Sequence, residues 1–125
     1  MRSGEQTSPI KIAIIAFDGC MTTAVAGLID SLTIANLWAA RIKSAPEGAF
    51  VSSVLSASTG PVRGSGGFSI PTAPLSGAPP ADILIVPPIM GPIAETLLAN
   101  GSIVARLRER RTEVIASVCT GAFFL

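Results

Sequence analysis

Cys119 is the side chain best placed to do chemistry. It closes the run Glu113-Val114-Ile115-Ala116-Ser117-Val118 and is followed by Thr120-Gly121-Ala122-Phe123-Phe124-Leu125. An apolar, β-branched run that delivers a cysteine to a small, glycine-containing turn has the pattern of a strand-to-helix elbow. Such an elbow presents a nucleophile above the end of a sheet. A thiol at a helix N-terminus is biased toward thiolate, because the unpaired N–H groups there carry partial positive charge. The backbone amide of Thr120 would face an oxyanion formed beside that sulfur, and a second donor would come from the loop after a neighbouring strand. Acyl transfer, aldehyde adducts and oxidation sensing are the reactions open to a thiol so placed. The competing reading is a small apolar side chain packed at a strand end. The chain contains no histidine, so the base that usually operates such a nucleophile is missing from this sequence.

The elements that must position Cys119 follow from hydrophobic periodicity. Ile12–Phe17 is a continuous apolar run before Asp18-Gly19, as in a central parallel strand covered on both faces. Thr22 or Thr23 opens a helix to about Lys43, with Val25, Leu28, Ile29, Leu32, Ala35 and Ala39 on one face. Pro46 and Gly48 close that segment. Phe50–Ala57 reads as a second strand and Thr59-Gly60-Pro61 as a turn. Val62-Arg63 and Phe68-Ser69-Ile70 flank Gly64-Ser65-Gly66-Gly67, a hairpin tip or loop. The glycines lack the spacing of either common phosphate-binding loop. Pro71–Pro80 reads as a connection and Asp82–Val86 as a buried strand stopped by Pro87-Pro88. A helix then runs from Ile93 to Arg110, with Ile93, Leu97, Leu98, Val104 and Leu107 toward the sheet and Asn100-Gly101 as an interruption. Arg106, Arg108, Arg110 and Arg111 read as a solvated last turn that complements the helix dipole. Glu113–Val118 is the last strand. Trp38 and Phe50 read as core or helix-packing residues, and Cys20 as packing.

Alternation of strands and helices implies an α/β fold with a mainly parallel sheet, a flavodoxin-like three-layer sandwich. Ligands in such sheets lie beyond the carboxyl ends of the strands. That rule gathers three loops: Asp18-Gly19-Cys20, Pro87–Gly91 and Cys119-Thr120. Asp18, Gly19, Pro88 and Gly91 are the ligand-binding candidates.

Composition narrows the function classes. Charged residues make up 14% of the chain and the net charge is +1, which gives no electrostatic footprint for nucleic acid or an anionic membrane. Tyrosine is absent and aromatic residues are few, which argues against a stacking surface for single strands. Cys20 and Cys119 lack metal-type spacing, so no metal site and no cofactor are expected. They read as reduced intracellular thiols. The run after Pro9 is too short and too β-branched for a signal peptide, and no apolar run approaches the roughly 20 residues of a membrane span. A cytoplasmic protein without membrane contact is expected. Its 125 residues form at most one domain, after a disordered tail over residues 1–9.

Three segments together resemble the ThiJ/PfpI superfamily, whose fold is that of the class I glutamine amidotransferases. They are Ile12–Phe17 with Asp18-Gly19, the strand ending Ile85-Val86-Pro87, and Ala116-Ser117-Val118-Cys119-Thr120-Gly121-Ala122. Phe17-Asp18-Gly19-Cys20-Met21 and Ala26-Gly27-Leu28-Ile29-Asp30 add a likeness to the N-terminal domains of GlxA-type regulators of the AraC family. The resemblance spans about residues 10–125. It implies Cys119 as nucleophile, with oxyanion donors at Thr120 and in the loop after Pro87, where Ile89 is the candidate amide. It also implies an acidic partner from the first helix and a later histidine. The acidic position falls on Ala24, and the family's glycines after the strand proline fall on Pro88 and Ile89. Pro88 has no amide hydrogen, and Ile89 resists backbone shapes open to glycine.

The resemblance therefore implies residues 10–125 as the N-terminal portion of a ThiJ/PfpI-like domain, incomplete at its C-terminus. The expected role is a non-catalytic, ligand-sensing domain of an AraC-family regulator with an unidentified small-molecule effector. DNA would be contacted only through a domain outside this chain, and a homodimer is expected because apolar surface is left uncovered. The alternative is a cysteine-dependent amidase-like hydrolase or isonitrile hydratase, and a third reading is a generic flavodoxin-like binding module.

Overall fold

A computed structural model describes residues 8–42, 48–58, 60–109, 111 and 113–125. Residues 1–7 of the tail expected over 1–9, the end of the first helix at Lys43, the stop at Pro46, the turn residue Thr59 and Arg110 lie outside the described residues. Strand β1 (Ile10–Ile15) sits at the centre of a five-stranded sheet in the order β5-β2-β1-β6-β7, and every pairing in that sheet is parallel. The partners are β2 (Phe50–Ser56), β5 (Ala73–Pro74), β6 (Ile83–Val86) and β7 (Val114–Ser117), flanked by α1 (Thr22–Arg41), α2 (Ile93–Ala99) and α3 (Gly101–Arg108). The chain has the α/β, flavodoxin-like arrangement that its sequence implies. A two-stranded antiparallel hairpin, β3 (Val62–Arg63) with β4 (Ser69–Ile70), stands apart from the sheet.

The apolar run forms a central strand because both its faces are covered. Ile12 through Phe17 are all buried, with Leu55, Leu84, Val86, Ile103 and Leu107 in the same core. Each fully buried aliphatic side chain contributes about 1.5–3 kcal/mol of transfer free energy, before the entropy of ordering it is subtracted. Pro71–Pro80 is more than a connection, since Ala73–Pro74 pairs with Leu55–Ser56. Proline lacks an N–H and is tolerated in a sheet at an edge, which is where β5 lies.

The helical segment 93–108 breaks at Asn100, whose φ of −118° and ψ of 39° leave the helical region. Asn100 caps the break from both sides. Its Nδ2 donates to the Thr96 carbonyl at 2.8 Å, and its own carbonyl accepts from the Ile103 and Val104 amides. The break shifts the helical phase. Leu98, expected toward the sheet, is 84% exposed, while Ile103 is wholly buried. Phe50 packs on the core as expected, but Trp38 is exposed. It lies opposite the α1 face that carries Val25, Leu28, Ile29, Leu32 and Ala39, so the helical period turns it away from the sheet. α1 also has the length and composition of a membrane-crossing helix, with 20 residues and a stretch of mean hydropathy 1.3. The run is interrupted by Asp30, Asn36 and several Ser and Thr residues, while the Ala, Val, Leu and Ile residues between them keep its mean high.

Arg106 is not the solvated side chain expected. It reaches back from α3 to Glu113, at the start of β7, with N···O 2.8 Å and both side chains largely covered. Arg111 pairs with Glu109 at 2.7 Å in the open. Burial pushes the Glu113 carboxyl up, but its own backbone N–H and Arg106, with Arg111 further off, together hold it below the ordinary carboxylate value.

The segment after Cys119 is a 3₁₀ turn, Cys119–Phe124, in place of the α-helix expected there. Phe124 anchors it against Phe17, ring centroids 4.8 Å apart at 45°. Gly121 lies so close to the end of β6 that a Cβ there would meet the carbonyl oxygens of Val86 and Pro87. Those are backbone atoms that cannot step aside, so Gly121→Ala should destabilise the chain by about 1–3 kcal/mol in a denaturant melt. Glu113→Gln should lower the melting midpoint at pH 7 by on the order of 5 °C. A carboxyl depressed in the folded state stabilises above its unfolded value of about 4.3 and loses that contribution as pH falls through the folded value. The gap between wild type and Glu113→Gln should therefore close below about pH 4.

Candidate functional site

Three loops at the carboxyl ends of the parallel strands are laced together by backbone hydrogen bonds. In the loop after β1, Gly19 adopts φ +87°, accepts from the Met90 amide at 2.8 Å and donates to the Arg63 carbonyl at 2.9 Å. The Met21 amide donates to the Pro88 carbonyl at 3.0 Å. Cys20 and Ile89 thus face each other in an isolated antiparallel bridge, and both are buried. The β3–β4 hairpin closes over the same loop. Asp18 Oδ1 accepts the Arg63 amide at 2.8 Å, the Ser65 amide donates to the Cys20 carbonyl, and Thr22 Oγ1 donates to the Ser65 carbonyl at 2.7 Å.

The third loop is the elbow. Cys119 has φ +51°, the one positive value at a non-glycine residue among the described residues. An L-residue in that region pays a steric cost of roughly 1–2 kcal/mol, because Cβ crowds the carbonyl that follows. Strain of this kind collects at functional sites. The thiol is exposed and makes no hydrogen bond among the described residues. Next to it, Thr120 Oγ1 accepts the Ile89 amide at 2.8 Å and donates to the Ile89 carbonyl at 3.2 Å.

The candidate residues divide accordingly. Thr120, Ile89, Pro88 and Gly19 share one hydrogen-bonded seam, Cys119 stands beside it as the residue before Thr120, and Gly91 adjoins it with its amide nitrogen beside Gly19. The Ile89 amide, put forward as an oxyanion donor, is committed to Thr120. Pro88 has no amide to offer, and its carbonyl is taken by Met21. A 3₁₀ turn of six residues also presents little of the aligned dipole expected beneath the sulfur. Burial raises the Cys20 thiol above its ordinary value, with its carboxylate neighbour Asp18 adding slightly; hydrogen bonds from the backbone of Phe17 and of Cys20 itself only partly offset this. Cys20 is therefore the inert thiol of the pair.

Asp18 borders a separate open cleft of about 450 Å³, lined also by Phe17, Ser56, Glu95, Thr96 and Asn100. That cleft does not reach Cys119. Sequence reasoning missed its α2 wall, since α2 reads only as a sheet-packing helix, and missed the Thr120 side chain, having used only its amide. A hydroxyl directly after the nucleophile was the available signal. Among the described residues no three His, Cys, Asp or Glu side chains gather as metal ligands.

No protein-family model and no curated protein matches the sequence. Solved structures do share its fold. A putative transcriptional regulator from Vibrio parahaemolyticus superposes with a TM-score of 0.73 at 21% identity, covering 94% of this chain and 60% of that one. An AraC-family transcriptional regulator from Pseudomonas putida gives 0.61 at 20% identity, over 93% of this chain and 68% of that one. A ThiJ/PfpI family protein from Pseudomonas syringae gives 0.68 at 20% identity, over 94% and 45%. The chain spans about half to two thirds of the length of these proteins. At this identity the likeness concerns architecture, and the conclusion is that the chain has the fold common to ThiJ/PfpI proteins and AraC-family regulators.

Proposed function

We propose that the chain is part of a ligand-sensing regulatory domain of an AraC-type transcription factor, acting in the cytoplasm and without turnover at Cys119. DNA contact belongs, in this reading, to sequence outside these residues. The hydrogen bond from the Ile89 amide to Thr120 Oγ1 carries the non-catalytic part. An amide engaged inside the protein is not available to a developing oxyanion, and loss of one such donor costs about 10²–10³ in rate. Ala24, in the first turn of α1, cannot act as the acid its position would hold in the resembled family, and general acid–base help is worth about 10²–10⁴. The effector's seat is the cleft beside Asp18, whose size suits a small molecule.

The exposed, strained Cys119 favours a second reading, a cysteine hydrolase of the amidase or isonitrile hydratase type. Hydrolysis of p-nitrophenyl acetate and of simple amides separates the two. Under the regulatory reading any activity stays at the level of a free thiol, and amide turnover is absent in wild type and Cys119→Ser alike. Amide turnover that Cys119→Ser abolishes would establish the enzyme. Iodoacetamide should label one thiol per folded chain, Cys119, with Cys20 reacting only on unfolding. Because glycine adopts φ +51° without the Cβ penalty, Cys119→Gly should melt at or above the wild-type temperature, by up to about 1 kcal/mol of added stability. Cys119→Val should melt lower.

A further inference from the structure

The cleft beside Asp18 carries negative charge that no side chain lining it balances. Asp18 and Glu95 both line it, from the loop after β1 and from the first turn of α2, and both are exposed. Neither forms an ion pair among the described residues. Asp18 Oδ1 is held by the Arg63 amide, which fixes the carboxylate and leaves Oδ2 without a partner among the described residues. No lysine or arginine belongs to the lining. Arg63 follows the lining residue Val62, but its own exposed side chain lies outside the cleft.

Asn100 points the same way. It is only 9% exposed and lines the cleft. Its Nδ2 donates to the Thr96 carbonyl, while Oδ1 accepts no hydrogen bond among the described residues. A buried amide oxygen normally has a partner. This one is not sealed inside the protein, so it opens on the cleft that Asn100 lines. The Ser56 and Thr96 hydroxyls, which also line it, donate to the Ser58 and Pro92 carbonyls and so offer the cleft lone pairs.

We infer that the cleft is a seat for an organic amine without a carboxylate, of the α,ω-diamine class. The inference rests on the reading of this cleft as the effector's seat. A protonated amine brings hydrogens to Asp18 Oδ2, Glu95 and Asn100 Oδ1 and balances the two carboxylates. A quaternary ammonium has the charge but no N–H for Asn100. An amino acid has the N–H groups but adds a carboxylate, which would meet Asp18 and Glu95 with no basic side chain in the lining to receive it. A divalent metal ion finds no third carboxylate, cysteine or histidine beside these two among the described residues. The volume of about 450 Å³ is ample for a short aliphatic diamine, whose chain would lie against apolar lining such as Phe17 and Val62.

Calorimetric titration and amide chemical-shift mapping of the chain test this, with 1,3-diaminopropane, 1,4-diaminobutane and 1,5-diaminopentane as probes. At least one should bind one to one and shift the Asp18, Thr96 and Asn100 amides. It should bind about tenfold or more tighter than free lysine, which is 1,5-diaminopentane with a carboxylate added, and than tetramethylammonium. Glu95→Gln and Asp18→Asn, the latter keeping an oxygen for the Arg63 amide, should each weaken binding by about tenfold. Asp30→Asn, on α1 and outside the cleft, should not. No diamine binding, or binding unchanged in Glu95→Gln and Asp18→Asn, would overturn the inference. If lysine, tetramethylammonium, succinate or Ca²⁺ shifts the cleft amides more strongly than any diamine, the ligand class falls while the cleft stands as the effector's seat. Shifts that map away from the cleft would overturn that seat as well.

Discussion

The need to pair every buried backbone group where the parallel strands end shapes both the fold and its candidate site. β1 and β6 stop side by side in the most thoroughly buried part of the molecule, and an unpaired amide or carbonyl there would cost about as much as a lost hydrogen bond or more. The Gly19, Met21, Pro88 and Met90 backbone groups answer one another across the gap, and Thr120 ties in the third loop through Ile89. Gly19 can join because its positive φ turns the chain back on itself after Asp18. The hairpin adds a cover over the same loop through Arg63 and Ser65.

That lacing has a chemical consequence. Ligand sites in parallel sheets use free backbone groups at strand ends, and here many of them face one another. Pro88 and Ile89 stand where glycines would let the loop open an amide outward, so the loop instead forms a short antiparallel bridge with Cys20. What remains open is the Cys119 thiol, held at φ +51° on a turn that Phe124 and Gly121 pin to the core. A seat for a nucleophile is present, while the Ile89 amide, one of the two expected oxyanion donors, is engaged inside the protein.

The sheet and its parallel character were legible because Ile12–Phe17, Ile83–Val86 and Val114–Ser117 are short apolar runs bounded by turn residues, although only the first is buried throughout. The loops that meet at the carboxyl ends followed from the parallel topology. Three features escaped for physical reasons. β5 contains a proline, so pairing could be recognised only once it lay at an edge. Leu98 and Ile103 exchanged environments because a break at Asn100 resets the helical phase, and the size of that shift depends on how the buried amide is satisfied. The Ile89–Thr120 bond joins residues 31 apart in sequence, and nothing local to either residue announces it.

Trp38 marks a different kind of failure. Hydrophobicity says only that a side chain gains by leaving water, and a reading of one chain assigns that gain to the chain's own core. The α1 period contradicts this, since the helix carries two apolar faces where one would suffice to hold it on the sheet. Val25, Leu28, Ile29 and Leu32 pack on the core, while Ile34, Leu37 and Trp38 are left facing outward. Small, scattered apolar residues on a surface need no explanation, but three large ones within five positions, bracketed by Asp30 and Arg41, form a patch with an axis and two signed ends.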